Sequence, residues 1–418
     1  MIVTSLKIAN LRAIETATFH FKPGMNLIVG VNGVGKTSII DALSVCLSAV
    51  VKHSNRLRTR SESFTKDDIR IGTDVLSVEC GIEIHGGKFE YLVHKPRETS
   101  VAQSKKTGMP REQVHDTPKK AKFLGNAPQS STGDEVDGRP LAVLFSTRRA
   151  LPSERTPSKT VAAGGVTAAC ADAFANRELR LGEFSAWMRV QDAIKTERSQ
   201  AKRVLKALED AVQRFLPGYS NLHISNKENG FNLLINRGQT EINVRQLSDG
   251  ERGVLALVLD LTRRLANANP AMDSPTEDAE AVVLIDEIDL HLHPKWQRQI
   301  TRNLIAAFPK CQFIATTHSP QVIGEVENER IQIIADGQVN SPGHSFGVDS
   351  SRVLEEIMDA RPRAREVHEL LTKLSRASSM KNFKQARNFL DKLAAQVGED
   401  DPEVTRARTL LEFLEDDE

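Results

Sequence analysis

The 418 residues carry 56 Lys and Arg against 55 Asp and Glu, a formal charge of +1, with 39% hydrophobic residues. At about 150 residues per domain this is enough chain for two or three domains, and the charge balance excludes a uniformly basic or acidic protein, so any charged partner must meet a local patch. No run approaches the roughly 20 apolar residues of a membrane-spanning helix, the opening MIVTSLKIANLR alternates like a strand rather than a signal peptide, and Cys46, Cys80, Cys170 and Cys311 lack the paired spacing of a zinc or disulfide framework. A cytoplasmic protein with no membrane association is expected.

In chain order, Val3, Leu6, Ile8 and Leu11 mark a first strand, and Met25 to Val29 a second that runs into a Gly-rich turn and a helix from Thr37 to about Val51. Val75–Ile84 and Phe89–Val93 alternate apolar and polar residues around Gly86-Gly87, an antiparallel hairpin. Residues 96–140 contain one aromatic, Phe123, among Ser, Thr, Gln, Gly, Pro and Lys, and predict a mobile insertion, because a segment without apolar surface cannot offset its ordering entropy. Leu141–Phe145 predicts a short buried strand, followed by Arg148-Arg149 and a second weak stretch, Pro152 to Gly165. Phe184, Trp187, Val190 and Ile194, then Val204, Leu208, Val212 and Phe215, recur at helical spacing and predict a helical subdomain. Strands over Leu222–Ser225 and Phe231–Ile235 lead into alternating helix and strand to about residue 337, the pattern of a parallel sheet; short amphipathic helices and an acidic tail end the chain.

Gly30-Val-Asn-Gly-Val-Gly35-Lys36-Thr37 fits GxxxxGK[ST] between a strand and a helix. Glycines let the backbone wrap phosphates, Lys36 reaches the terminal phosphates of ATP, and Thr37 offers a hydroxyl to Mg²⁺. The bland alternative, a turn that caps a helix, has no use for Lys-Thr at that offset. Val282-Val-Leu-Ile-Asp286-Glu287 is an apolar strand ending in two carboxylates, placed to hold Mg²⁺ through Asp286 and to polarise a water with Glu287; alone, it reads equally as a buried strand whose acids open a loop. Ser248-Asp-Gly250-Glu251 precedes an apolar helix, as a plain capping box or as a γ-phosphate sensor of Ser248, Gly250 and Glu251. His291 and His293 form HxH, readable as a metal pair or as a loop entering a helix at Pro294.

These motifs, in this order, together resemble the ABC-type ATPase superfamily, with Thr316-Thr-His318-Ser319 in the place of its switch histidine and Asp289 in its D-loop. The resemblance implies an α/β fold, an ABC-ATPase head of the P-loop NTPase type with a mixed sheet, a helical insert and a helical C-terminal region. Its parts would be an ATPase lobe over 1–95, the insertion 96–140, a strand with a helical subdomain over 141–216, a second lobe over 217–340 and a partner-docking region over 341–418. It further implies nucleotide contacts from Asn32, Gly33, Val34, Gly35, Lys36, Thr37 and Ser38, a γ-phosphate contact from His318, and Ser248, Gly250 and Glu251 acting on the nucleotide of an opposite subunit in an ATP sandwich homodimer. Two departures stand out: Asp249 replaces the Gly that many members carry, and no Q-loop glutamine follows Leu141–Phe145, where Thr147 and Arg148 stand.

Leu6-Lys-Ile8-Ala-Asn10-Leu11-Arg12 and Pro23-Gly24-Met-Asn-Leu-Ile-Val resemble the RecF/SMC branch, which places Arg12 near the nucleotide; transport subunits lack this strand. The overcoming-lysogenisation nucleases of that branch carry a TOPRIM domain after the ATPase, and the residues after His318 show no such motif, so nuclease activity in this chain is not expected. Gly347–Met358 and the tail from Lys381 to Pro402 are similar to the PtuA ATPases of Septu anti-phage systems. That similarity implies an HNH endonuclease partner (PtuB-like) bound through the C-terminal region, a higher homo-oligomer, and slow ATP hydrolysis that regulates the partner. The alternative is a RecF/SMC-like repair or chromosome ATPase, with Arg148-Arg149 and Lys119–Lys122 tracking DNA phosphates.

Overall fold

The computed structural model describes all residues except 58–60, 98–120, 125–138, 151–164, 177, 179–180, 226–231, 336, 359 and 417–418. Two compact units emerge, Met1–Val348 and Asp349–Glu418.

In the first unit, strands β1 (Ile2–Leu11), β2 (Ile14–His20), β4 (Val75–Ile84), β5 (Gly87–Pro96) and β6 (Ala121–Leu124) form an antiparallel sheet in the order β2-β1-β4-β5-β6. A six-stranded sheet runs β14-β13-β3-β12-β11-β7, built from β3 (Met25–Val29), β7 (Ala142–Phe145), β11 (Ala281–Ile285), β12 (Cys311–Thr317), β13 (Ile331–Ala335) and β14 (Gln338–Asn340). Five of these strands are parallel and β14 is an antiparallel edge. Every residue of β3, β11 and β12 is buried, as strands covered on both faces require. Helix α1 (Lys36–Ser54) is buried along most of its length, and its Ile39, Leu43, Cys46, Leu47 and Val50 share one core with Leu6, Val78, Ile314 and Leu284 from the two sheets.

Two side-chain amides join the sheets where backbone pairing cannot. Gln312, 1% exposed in the middle of the parallel sheet, accepts from Val3 N (2.7 Å) and donates to the Val3 carbonyl (2.8 Å). Gln332 accepts from His20 N (3.0 Å) and donates to its carbonyl. Each glutamine thereby acts as a surrogate peptide group for a strand of the other sheet.

Further along lie α2 (Gly165–Cys170), α3 (Leu181–Ile194), α4 (Ser199–Phe215) and α5 (Asp249–Ala268), with a three-stranded sheet β10-β9-β8 between α4 and α5, from β8 (Tyr219–Ser225), β9 (Asn232–Arg237) and β10 (Thr240–Asn243). Helices α6 (Pro294–Ala307) and α7 (Pro320–Ile323) lie further along the same unit. The second unit contains α8 (Arg365–Ser379), α9 (Phe383–Val397) and α10 (Pro402–Asp416), packed through Leu374, Leu390, Leu393, Val404 and Leu411.

Two expectations shift. The hairpin between β4 and β5 turns on His85 and Gly86, both at positive φ (48° and 77°), one residue before the expected Gly86-Gly87. Within the expected insertion 96–140, residues 121–124 form an edge strand, because Phe123 packs its ring 5.0 Å from Tyr91, 5.7 Å from Phe89 and 4.8 Å from His53. Most of that insertion, and the weak stretch from 152, lie outside the described residues.

Replacing Gln312 by Leu keeps the volume but strands the N–H and C=O of fully buried Val3. At about 1–3 kcal/mol for each of these two groups, Gln312→Leu should cost about 2–6 kcal/mol, read as a lower urea midpoint at unchanged slope.

Candidate active site

The strand register brings the motifs to one sheet edge. Val29 of β3 pairs with Thr317 of β12, and Ala315 of β12 with Ile285 of β11, so the residues that follow these strands, Gly30, His318 and Asp286, leave the sheet together. Helix α1 starts behind the turn 30–35. Gly35 sits at its N-cap with φ 103°, a conformation that strains any side chain, and an added Cβ would lie 3.1 Å from Ile14. Asn32 and Gly33 are exposed and Val34 is half-buried at the mouth of the loop. Lys36 folds back, with Nζ donating to the carbonyls of Gly30 (2.8 Å) and Val31 (3.0 Å). Burial lowers its pKa, and Glu287, Asp286 and Asp289 work against that shift.

Asp286 is the hub. Its Oδ1 accepts from Thr316 Oγ1 at 2.7 Å and its Oδ2 from Thr37 Oγ1 at 3.3 Å. The same Thr316 oxygen accepts the backbone N–H of Glu287 at 2.8 Å, so one hydroxyl sets both acidic residues. Glu287 is half-buried, with its backbone in the left-handed region at φ 50°. Asp289 accepts from Thr317 Oγ1 at 2.6 Å. Half-buried His318 has a lowered pKa, from burial first and from the charge of Lys36 second, so the neutral imidazole is favoured.

Oxygen donors from Thr37 and Asp286 3.3 Å apart, beside Lys36 at the start of a helix, are the donor set a small hard cation takes alongside phosphate oxygens. The residues therefore fit Mg²⁺.

Arg12, in the β1–β2 turn at φ 50°, donates to Ser38 Oγ (3.2 Å), Asp41 (2.7 Å) and Asp68 (2.9 Å). Burial opposes its charge, but the two carboxylates hold its pKa above the ordinary value. Asp68 also accepts from the N–H (2.7 Å) and hydroxyl (2.9 Å) of Thr65 and so anchors Arg12 to the loop before β4.

Ser248, Gly250 and Glu251 open α5 in a reciprocal capping box: the Ser248 N–H donates to Glu251 (2.8 Å) and Glu251 N–H to Ser248 Oγ (3.4 Å). Tyr219 OH donates to the other Glu251 oxygen at 2.7 Å. Burial and this bond push the Tyr219 hydroxyl up to about 12. A Cβ on Gly250 would stand 2.3 Å from the carbonyl of His291, so the helix start packs directly on the loop after Asp289. Among the described residues, these three form no hydrogen bond with the phosphate loop. His293 serves as the N-cap of α6, its ring accepting from Lys295 N at 3.3 Å, which favours the helix-entry reading of HxH.

Arg149 corrects the reading of Arg148-Arg149 as a phosphate-tracking patch. It is 7% exposed and donates to the carbonyls of Asp286 (2.7 Å) and Glu287 (2.5 Å), while Arg148 is half-exposed 3.7 Å from Glu178. Thr316, Asp68, Tyr219 and Arg149 are all site-building residues that the motif reading did not assign.

A family model described as an AAA domain matches residues 5–214, half of the chain. The chain belongs to this AAA-domain family. A second model, described as "AAA domain, putative AbiEii toxin, Type IV TA system", matches residues 175–324. The chain is 26% identical over 424 residues to the retron Ec83 probable ATPase of Escherichia coli, covering 87% of this chain and 77% of that protein. It is 23% identical over 382 residues to the Septu protein PtuA of Bacillus thuringiensis, covering 86% and 84%. Among solved structures, an SMC head bound to the C-terminal winged-helix domain of ScpA is 16% identical, with 82% of this chain and 97% of that chain covered at a TM-score of 0.49.

For Glu251, burial raises the carboxyl pKa, but Tyr219 and Ser248 outweigh it and the net shift is downward. A depressed folded pKa adds stability that is complete above the ordinary carboxylate value and disappears as pH falls through the folded one. Glu251→Gln should therefore lower the melting temperature at neutral pH and lose part of the acid dependence below about pH 4.5, measured by thermal melts across pH.

Proposed function

We propose that this chain is the ATP-binding and ATP-hydrolysing regulatory and scaffold subunit of an anti-phage defence complex, and that it controls an HNH endonuclease supplied in trans. The observation that carries the reading is the convergence of Lys36, Thr37, Asp286, Glu287 and His318 at one sheet edge. The likeness along most of the chain to a retron ATPase and to a Septu PtuA supports the setting.

In this reading the N–H groups of the turn 32–37 and the start of α1 cradle the phosphates of ATP. Lys36 exchanges the carbonyls of Gly30 and Val31 for phosphate oxygens. Mg²⁺, when bound, would supply charge neutralisation of the phosphates. Glu287, fixed by its backbone, orients the attacking water and accepts its proton. His318, neutral, offers a hydrogen bond toward the γ-phosphate without adding a second cation beside Lys36. Arg12 stands at the first turn of α1 on the same side, held ready by Asp41 and Asp68.

Ser248, Gly250 and Glu251 serve the nucleotide of a second copy. Two chains therefore close over two ATP molecules, and a higher homo-oligomer is built from such pairs. The three-helix unit 349–418 docks the nuclease. The chain itself does not cut DNA, and DNA reaches the complex as the partner's substrate.

Purified protein with Mg²⁺ should hydrolyse ATP slowly. Glu287→Gln should be at least about tenfold slower while still binding ATP, the signature of a group needed only in the chemical step. Plasmid should stay intact with the chain alone and be cut once the HNH protein is added. Cleavage by the chain alone, or equal turnover by Glu287→Gln, would sink the proposal.

A further inference from the structure

Arg149 is a buried cation that the proposed hydrolysis has not used. It lies in the turn 147–150 after β7, and its guanidinium donates to three main-chain carbonyls: Ser146 (3.1 Å), Asp286 (2.7 Å) and Glu287 (2.5 Å). The parallel pairing of β7 with β11 ends at Phe145 and Ile285, so the Asp286 and Glu287 carbonyls lie past that ladder, and the Glu287 carbonyl also accepts the turn N–H of Leu290 at 3.0 Å. Glu287 also holds a backbone conformation unfavourable for a residue with a side chain, φ 50°, which persists only where several contacts fix it. Thr316 fixes its N–H, and Arg149 shares its C=O with the Leu290 N–H.

We propose that Arg149 is the positioning residue of Glu287: it clamps the main chain of the 286–287 turn and links that turn to α5, the helix capped by Ser248 that carries the elements offered to a second subunit.

The linkage rests on two observations. The turn 147–150 packs against α5. A cavity of about 40 Å³ beside Arg149 is walled by Glu183 and Phe184 of α3 and by Asp260 and Arg263 of α5. A shift of α5 therefore bears on the turn that carries Arg149, and through that turn on Glu287. Arg149 reaches its three carbonyls from two separate nitrogens of a rigid planar fork, whereas lysine must aim all its donors from one compact nitrogen. The charge has its own use, standing behind Asp286, Glu287 and Asp289 while Lys36 stands in front. Burial draws Arg149 down to about 10 against the pull of those acids, which leaves it protonated at neutral pH.

The turnover arm of the test rests on the ATPase reading; the exchange arm does not. Wild type, Arg149→Lys and Arg149→Met would be compared for affinity of a fluorescent ATP analogue, for ATP turnover, and for amide deuterium exchange of a peptide covering 283–292 without nucleotide. The expected result is affinity within about threefold, turnover at least about tenfold lower in Arg149→Met with only partial recovery in Arg149→Lys, and faster exchange confined to 283–292. Unchanged exchange with unchanged turnover overturns the proposal. So does a parallel loss of affinity, turnover and protection throughout 1–348, which would mark Arg149 as a general packing residue. A wild type that binds ATP but does not turn it over counts against the ATPase reading alone, and the exchange of 283–292 still decides the role of Arg149.

Discussion

Asp286 accepts one hydroxyl from the phosphate-loop helix and another from the neighbouring strand, Thr37 on one oxygen and Thr316 on the other. These two bonds tie three elements of the parallel sheet edge to one carboxylate. They fix the spacing between the loop that would hold phosphate and the acid that would act on water, and Thr316 passes the constraint to the next residue through the Glu287 N–H. Both of these donors are neutral hydroxyls rather than cations. That suits a group meant to face a cation.

The remaining architecture serves this constraint from two sides. Lys36 stands on the phosphate side, its charge weakened by burial and sustained by three acids. Arg149 stands on the sheet side, buried and sustained by the same three acids. The antiparallel sheet backs α1 and is locked to the parallel sheet through Gln312 and Gln332, so the position of the phosphate loop is set by long-range contacts that the loop itself does not contain. Gly250, pressed against the His291 carbonyl, joins the start of α5 to the loop that leaves Asp286. The helix start that the proposed function offers to a second subunit is thus mechanically continuous with the acid that would act within the first.

Much of this was legible in the chain. The phosphate loop is eight contiguous residues whose types are dictated by backbone approach to phosphate, and Val282–Ile285 is a fully apolar strand whose end has only one place to go in a parallel sheet. Arg149 was not legible: beside Arg148 and before a polar stretch it reads as solvated charge, and only the point where β7 and β11 part turns it inward. Phe123 was hidden for a similar reason, since a four-residue strand has no period and its support comes from His53, Phe89 and Tyr91, distant in sequence. Gln312 did leave a trace, a lone amide in the apolar strand Cys311–Thr317, because a buried polar side chain in such a strand needs a partner. The likeness to a retron ATPase extends over 87% of the chain at 26% identity.

The most direct test of the role given to Asp286 is a calorimetric titration of ATP with Mg²⁺ and with EDTA, on wild type and on Asp286→Asn. If Asp286 and Thr37 hold the cation, removing Mg²⁺ should weaken ATP binding by about tenfold or more in wild type and far less in Asp286→Asn, whose amide has lost the charge that selects it. An equal dependence on Mg²⁺ in both proteins would contradict it.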